Sequence, residues 1–351
     1  MGPEIVSVSA GGAPYVSWKR FQATAALNDA ARTFELECVH ELGAAATTWI
    51  FGAGVAVKIA LNGTLFLDGY VDRYQPRITE EERIAIISGR SKAADFVDSS
   101  AEHDTGEIRQ KTVLDLAKSL DKYGVGVKAD TSLAKIPVLR ITKGETAFRA
   151  VERYCRSQGL TLCGQADGSI LITKGGAKRH AGGLIEGHNI RAADADHNWS
   201  GRHSEYRVIG QRPDGHGAPN LEIERIARDA AVGRHRPVIV VVEEDIDDGR
   251  AATRAQNRRD RAAGASLKAQ VTVQGFRDDG GALWEPGHLI YTEAPSLAIQ
   301  QDMLIERVVL EQVDTEGDAG GSTATLSLVD PRAYGGKAGK GSKSGKAWEL
   351  G

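Results

Sequence analysis

Five histidines and two aspartates are the first residues whose types could do chemistry. They are His180, His188, His197, His203 and His216, with Asp194 and Asp196 among them. Imidazole nitrogens and carboxylates are common zinc ligands. However, no two of these histidines have the i,i+4 spacing of a helical ligand pair, and the stretch has no C-x2-C pattern. The sequence therefore favours polar loop histidines over a metal site, and it predicts neither a metal nor a cofactor.

Nucleotide and hydrolase motifs have no better support. The segment Gly124–Ala129 (GVGVKA) fits the relaxed pattern G-x-G-x-x-A. It follows a predicted helix and precedes a predicted strand, which is the reverse of a dinucleotide site. The chain has no G-x-x-x-x-G-K-[ST] loop and no G-x-S-x-G elbow. Among 47 acidic residues nothing selects the two carboxylates that glycoside hydrolysis needs, so the sequence predicts no enzyme active site.

A basic stripe and an acidic run lie side by side near residue 250. Arg250, Arg254, Arg258 and Arg261 recur at helical spacing, with alanines on the other side of the predicted helix. No aromatic residues interleave them and acidic residues flank them. We therefore interpret Arg254 and Arg258 as interface candidates that pair with carboxylates, not as a nucleic-acid site. The acidic run, residues 243–248, lacks the ligand order of a calcium loop and is interpreted as a helix cap.

Composition narrows the class of protein further. With 351 residues, 41% of them hydrophobic, the chain can form two or three domains with buried cores. A net charge of −3 gives no general attraction to nucleic acid or to an anionic membrane. Three cysteines make no disulfide framework, which favours a reducing compartment. We find neither a signal peptide nor an apolar run of the roughly 20 residues that a membrane helix needs, so no stable membrane insertion is expected.

The elements that must position these residues begin with a strand-rich segment. In RTFELECV, apolar and acidic residues alternate with the period of a half-buried strand. Asn62-Gly63 is a strong hairpin signal between two such runs, and Gly69 is a candidate for a bulge or bend in the next strand. Six strands are predicted in about 90 residues, a density that indicates a small antiparallel barrel over residues 1–100.

The rest of the chain divides by its changing periodicity. Residues 101–175 combine two amphipathic helices with short strands and predict an α/β module. Residues 176–201 have little periodicity and are interpreted as an irregular arm. Strand signals then predict a second barrel over residues 202–334, with an inserted helix near 247–264. The Gly- and Lys-rich residues 335–351 are predicted to be a disordered tail.

A repeated sequence pattern, referred to below as the echo, occurs once in each of the two strand-rich regions. GAGVAVKIAL followed by TLFLDGYVD in the first region resembles EPGHLIYTEAP followed by DMLIERVVL in the second. We therefore predict a mainly β fold of the α+β kind, in which two similar small antiparallel β-barrels flank an α/β module. Trp284, Pro286 and Gly287, at the start of the second echo, are candidates for barrel or interface residues.

Several ordered stretches resemble a known family. They are ARTFELEC; FLDGYVDRYQP with ISGRSKAADFVDSSA; KGETAFRAVERYCRSQGLTLCGQADGSILITK; and the block from NRRDRAAGASLKAQ through STATLSLVDPRAY. In this order, over roughly residues 3–334, they resemble the Mu-like baseplate hub proteins of contractile phage tails, tail proteins of the Mu P or late control D type.

The resemblance implies a structural function. Members of the family are homotrimers without known catalysis that join the hexameric tail tube to the trimeric central spike. It implies a homotrimer that contacts the tail-tube protein, the spike protein and further baseplate or tape-measure proteins. It also implies assembly in the bacterial host cytoplasm and a place in the virion tail baseplate. Two barrels in each of three chains would present six similar surfaces to the tube. Because no long β-repeat follows the second barrel, we expect the spike to be a separate protein.

The resemblance also gives a role to the strand-to-helix segment ISGRSKAADFVDSSA. We expect it to be a joint between the first barrel and the α/β module, in which Gly89 ends the strand and permits a sharp exit. Phe96 would anchor the short helix, and Arg90 would pair with Asp95 or Asp98. Two other functions stay open: a baseplate-associated cell-wall hydrolase, and a barrel-type carbohydrate-binding module.

Overall fold

The architecture is that of a computed structural model. It describes residues 4–10, 13–15, 18–39, 51–80, 82–210, 223–242, 246–313 and 321–336. The predicted disordered tail lies, from residue 337 onwards, outside the described residues.

Strands dominate the described chain and fall into four groups. The first β-unit consists of β1 (Val6–Ala10), β2 (Ala13–Tyr15), β3 (Arg20–Ala26), β4 (Thr33–Val39), β5 (Ala56–Leu61), β6 (Thr64–Ile78) and β7 (Arg83–Ser91). The α/β unit contains β8 (Glu107–Lys111), β9 (Val127–Ala129), β10 (Ile136–Arg140), β11 (Thr161–Gly164) and β12 (Ile170–Thr173). The second β-unit consists of β13 (Lys178–Ile185), β14 (Ile190–His197), β18 (Leu267–Gln274), β19 (His288–Ala294), β20 (Ile299–Val313) and β21 (Gly321–Val329). A side module contains β15 (Glu205–Gly210), β16 (Ile223–Arg228) and β17 (Pro237–Val241).

Helices occur between and beside these strands. They are α1 (Ala93–Asp98), α2 (Val113–Leu120), α3 (Ala147–Ser157) and α4 (Asp248–Ala265), with two short 3-10 helices at Pro295–Leu297 and Pro331–Tyr334. Within the described residues, no helix is long and apolar enough to cross a membrane.

The predicted internal repeat is present in the topology of the sheet. If six strands of each β-unit are lettered a to f in chain order, leaving out the short β2, both units have the sheet order a-d-e-f-c-b. Strands a and d pair antiparallel in the first unit and parallel in the second. Both long e strands carry a bulge, with Asp72 as the extra residue of β6 and Glu306 as that of β20. The echo therefore reflects two copies of one folding unit.

The expectation of two separate barrels needs correction. Strand β3 of the first unit pairs with β20 of the second, so both units belong to one 13-stranded sheet. No pairing among the described residues closes either unit into a barrel. One hydrophobic cluster, which includes Leu36 of β4 and Leu326 of β21, fills the space behind both units. The two halves therefore share a core.

The α/β unit contains the two amphipathic helices that its sequence predicts. Thr112 accepts a hydrogen bond from the Asp115 N–H, and the Asp115 carboxylate accepts one from the Thr112 N–H, which forms a capping box at α2. Val113, Leu116, Ala117 and Leu120 form its buried stripe. The apolar residues of α1, α2 and α3 pack in a second cluster of their own. This unit thus has an independent hydrophobic core.

Two predicted domain limits are wrong. The supposed irregular arm, residues 176–201, contains β13 and β14, which are integral strands of the second β-unit. The region assigned to a second barrel, residues 202–334, instead begins with the side module, in which β15 pairs with β16 and β17. Ala251 and Ala255 of α4 pack into the small core of this module. The alanine side of the basic helix therefore faces inward, as its spacing predicted.

Candidate functional site: the junction of the three units

The first β-unit, the α/β unit and the second β-unit meet at one buried guanidinium group. Arg32, between β3 and β4, has a side chain only 2% exposed. Its Nε donates to the Gly164 carbonyl of the α/β unit at 3.0 Å, and its Nη1 donates to the Phe66 carbonyl at 3.1 Å. Two further bonds, of 3.1 and 2.6 Å, reach the carboxylate of Glu285 in the second β-unit. This fork geometry suits a planar guanidinium and ties the three units together.

A hydrogen-bond network around His180 lies next to the loop that carries Glu285. The His180 ring lies 2.8 Å from Asp278 through Nδ1, and its Nε2 accepts the Glu285 N–H at 3.1 Å. Because Nε2 is an acceptor, the ring proton lies on Nδ1 and is donated to Asp278. Burial raises the pKa of Asp278, but the hydrogen bonds from His180, Ala181 and Ala282 outweigh it and lower that pKa below the ordinary value. The network fixes the loop that carries Glu285.

A second imidazole lies against the first. The rings of His180 and His288 are 4.8 Å apart, and Trp284 lies at the same distance from His180 on another side. Burial, with help from the nearby His180 and Lys178, lowers the pKa of His288 to about 4. His288 is therefore neutral at pH 7, and this part of the junction carries a titratable group that acid would charge.

At the predicted joint, Arg90 forms the expected ion pair with Asp98 and a second one with Asp72. Arg90 contacts Asp98 at 2.8 Å and also Asp72 at 2.7 Å, and both carboxylates raise its pKa. Asp95 is exposed and is not among the Arg90 partners in the described chain. Phe96 is fully buried and packs edge-on against Tyr123, with ring centroids 6.4 Å apart. The short helix is thus anchored in the core of the α/β unit.

The two glycines of the joint act differently from their predicted roles. The strand continues past Gly89 to Ser91, so Gly89 does not end it. A Cβ on Gly89 would lie 2.0 Å from the Tyr70 carbonyl oxygen, and one on Gly69 would lie 2.0 Å from that of Arg90. Gly69 is in regular register with both neighbouring strands, and the bulge opposite β7 falls three residues later, at Asp72. Both glycines therefore permit a close approach of β6 and β7, not a turn or a bulge.

The other predicted site residues are divided between core and surface. Trp284 and Pro286 are buried. Gly287 has φ +83° and donates its N–H to the Ile305 carbonyl at 2.8 Å. Arg254 and Arg258 are exposed and form no ion pair with any residue that the structure describes. These two arginines stay interface candidates, whereas Trp284 and Pro286 belong to the interior.

The described histidines of the histidine-rich stretch do not come together as a metal site. Among the described residues, no three His, Cys, Asp or Glu side chains are grouped as metal ligands. His216 lies outside the described residues. His197 contacts the Leu297 carbonyl at 2.9 Å, and His203 contacts that of Gly201 at 3.2 Å. At the helix cap, Asp247 accepts the Arg250 N–H at 2.8 Å, as the acidic run predicted.

Sequence reasoning did not identify Arg32, Glu285 or Asp278. The sequence singles out His180 only as one of several loop histidines. What the junction can do follows from its contacts: it holds three units in one orientation.

Three family models match successive parts of the chain. They are "Mu phage baseplate assembly protein GpP-like, N-terminal" over residues 5–91, "Baseplate hub protein gp44-like, second domain" over residues 93–174, and "Mu phage baseplate assembly protein GpP, fourth domain" over residues 248–336. The first two limits coincide with the first β-unit and the α/β unit.

Individual relatives agree with these models. The baseplate hub protein gp44 of Escherichia phage Mu is 26% identical over 327 residues, which cover 89% of this chain and 85% of that protein. The crystal structure of the 43 kDa tail protein of prophage MuSo2 from Shewanella oneidensis is similar with a TM-score of 0.82 and 29% identity, over 94% of this chain and 99% of that one. A tail protein from Neisseria meningitidis MC58 shares the fold, with a TM-score of 0.78 and 20% identity over 95% and 99% of the two chains.

Proposed function

Since the chain is a Mu-like baseplate hub protein of a contractile phage tail, we propose that it works as a homotrimer that adapts the hexameric tail tube to the trimeric central spike. The observation that carries this proposal is the repeated β-unit with one strand order, a-d-e-f-c-b, in both halves of the chain. Three chains would present six such units to a ring of six tube subunits. One protein would then match two symmetries.

The units that occur once per chain support the other half of the proposal. The α/β unit and the side module have no second copy in the described chain. In a trimer they would be repeated three times and would suit a threefold spike. We propose that they face the spike, and that the chain is assembled into the tail in the host cytoplasm.

The assembly is tested by the mass of the purified protein in solution. Light scattering coupled to size exclusion is expected to give three times 37.5 kDa. Imaging of the particle should then show a ring with near-sixfold shape. A chain that stays monomeric at high concentration and also in the presence of the spike protein would contradict the proposal.

We propose that the hub has no catalytic role, because the charged side chains of its junction are engaged with each other: Arg32 binds Glu285, and His180 binds Asp278. A lytic assay on purified peptidoglycan is expected to show no turnover above buffer. Turnover that disappears when a single acidic residue is replaced would instead favour the cell-wall hydrolase.

A further inference from the structure

The seam between the two β-units inside one chain is a strand pair. Residues 307–313 of β20 pair antiparallel with residues 20–26 of β3, and Arg20 contacts Glu311 at 2.7 Å across it. In the lettering of the repeat, strand b of the first unit joins strand e of the second. On the core side of this seam, Phe21 and Leu310 are completely buried.

The reciprocal seam, between strand b of the second unit and strand e of the first, is not made among the residues that the structure describes. Strand β14 lies at the end of the sheet and pairs with β18 alone in the described chain. Past its bulge, β6 pairs with β7 on one side, and no described strand pairs with its other edge. Ile78, near the end of this edge, is 71% exposed. Both strands of a second seam are therefore present, and no described strand pairs with either of these two edges.

On each of the two edges, alternate residues direct their backbone N–H and C=O groups away from the sheet, where another strand can pair with them. The Thr79 N–H donates to Glu82 on the β7 side, so the backbone groups of Pro76 and Ile78, at alternate positions, face the outer edge. The Asn198 N–H donates to Ser266 on the β18 side, so those of Ala193 and Ala195 face outward.

The shared bulge fixes the register between them. Because Asp72 and Glu306 are equivalent, Arg77 and Ile78 correspond to Glu311 and Gln312 of the internal seam. The c strands, β4 and β18, carry the same equivalence to the b strands that pair with them. Asp194 and Ala193 of β14 therefore correspond to Gln22 and Phe21 of β3.

We propose that β14 of one copy pairs antiparallel with residues 73–79 of β6 in the next copy, with Asp194 opposite Arg77 and Ala193 opposite Ile78. This surface rests on the proposed trimer and names the residues that close it. The contact is heterologous, so repeated copies form a ring when the rotation closes.

The side chains on the two edges are complementary. Arg77 and Asp194 are both exposed and have no ion-pair partner among the described residues, and opposite charges facing each other across strands stabilise a pair. On the other face, exposed Ile78 would cover Ala193 and Ala195, which already pack against the core. Pro76 has no N–H, so this edge lacks one donor and is a poor template for an arbitrary strand.

Cysteine cross-linking tests the register. In the proposed seam Gln75 lies opposite Asp196 in a non-hydrogen-bonded pair, where cross-strand Cα atoms are about 4.5 Å apart. The double variant Gln75→Cys/Asp196→Cys should give disulfide-linked dimers and trimers on a non-reducing gel after mild oxidation. In the matched control Gln75→Cys/Ala192→Cys, the second cysteine lies on the same face but four residues along β14, and it should stay unlinked.

Cross-linking and light scattering together distinguish a failure of the proposed seam from a failure of the proposed trimer. If the wild-type chain is trimeric by light scattering and neither double variant cross-links, or both do equally, the seam is wrong and the proposed function stands. If the wild-type chain never associates, even with the spike protein, both fail. As an independent check, Arg77→Asp and Asp194→Arg should each weaken the trimer at least several-fold, and the double exchange should restore it.

Discussion

At the scale of single residues, Arg32 is the contact on which the junction most depends. Replacing it in Arg32→Met leaves the Glu285 carboxylate and two buried carbonyl oxygens without their donor. Breaking a buried ion pair from one side costs about 3 kcal/mol or more. We expect a loss of that size in the free energy of unfolding measured with denaturant. Arg90→Met is the matched control: its partners are largely exposed, so it should cost less than about 1 kcal/mol. Equal losses in the two variants would contradict the assigned role.

The His288 imidazole should make stability depend on pH. Its pKa is about 4 in the folded protein and close to the ordinary 6.5 when unfolded. Between these values the unfolded chain binds more protons, so stability falls as the pH drops from 6.5 to 4, by at most about 3 kcal/mol from this group. In His288→Gln the melting temperature should fall less over that interval than in the wild type. Parallel pH profiles would show that His288 does not contribute.

The residues of the junction show why sequence reasoning missed them. Arg32 binds Gly164 and Glu285, which are 132 and 253 positions away along the chain. No local period or spacing encodes such partners. The Arg90–Asp98 pair could be predicted because both residues lie within one strand-to-helix segment.

At the scale of elements, the close pairing of β6 with β7 depends on the absence of two side chains, at Gly69 and Gly89. A methyl group on Gly89 would overlap the Tyr70 carbonyl and the Phe34 ring. We expect Gly89→Ala to lower the free energy of unfolding by several kcal/mol, because backbone must move to admit it. Gly201→Ala is the control, since nothing lies within 4 Å of its Cβ position. A stable Gly89→Ala protein with an unchanged melting temperature would mean that the strands can separate without cost.

Strands of ordinary composition could be predicted from the sequence, and the edge strand β14 could not. The Asn62-Gly63 turn joins β5 to β6, as its residue types predicted. The sequence places β14 in an arm, because its period-two pattern alternates Ala193 and Ala195 with aspartates and its one large apolar residue, Ile190, lies at its start. Small apolar residues on a strand at the end of the sheet give a weak hydrophobic signal. Only the pairing of β14 with β18 shows that this segment is a strand.

At the scale of the whole molecule, the shared core predicts how the protein unfolds. Leu36 of the first β-unit and Leu326 of the second are fully buried in the same cluster. Replacing either with alanine should cost about 2–5 kcal/mol. Because one sheet and one core span both units, calorimetry at fixed protein concentration should show Leu36→Ala and Leu326→Ala shifting the same transition. Leu116→Ala, in the separate core of the α/β unit, is the comparison. If the two β-units were independent barrels, the first two variants would instead shift different transitions, and the continuous seam from β3 to β20 would carry no cooperativity.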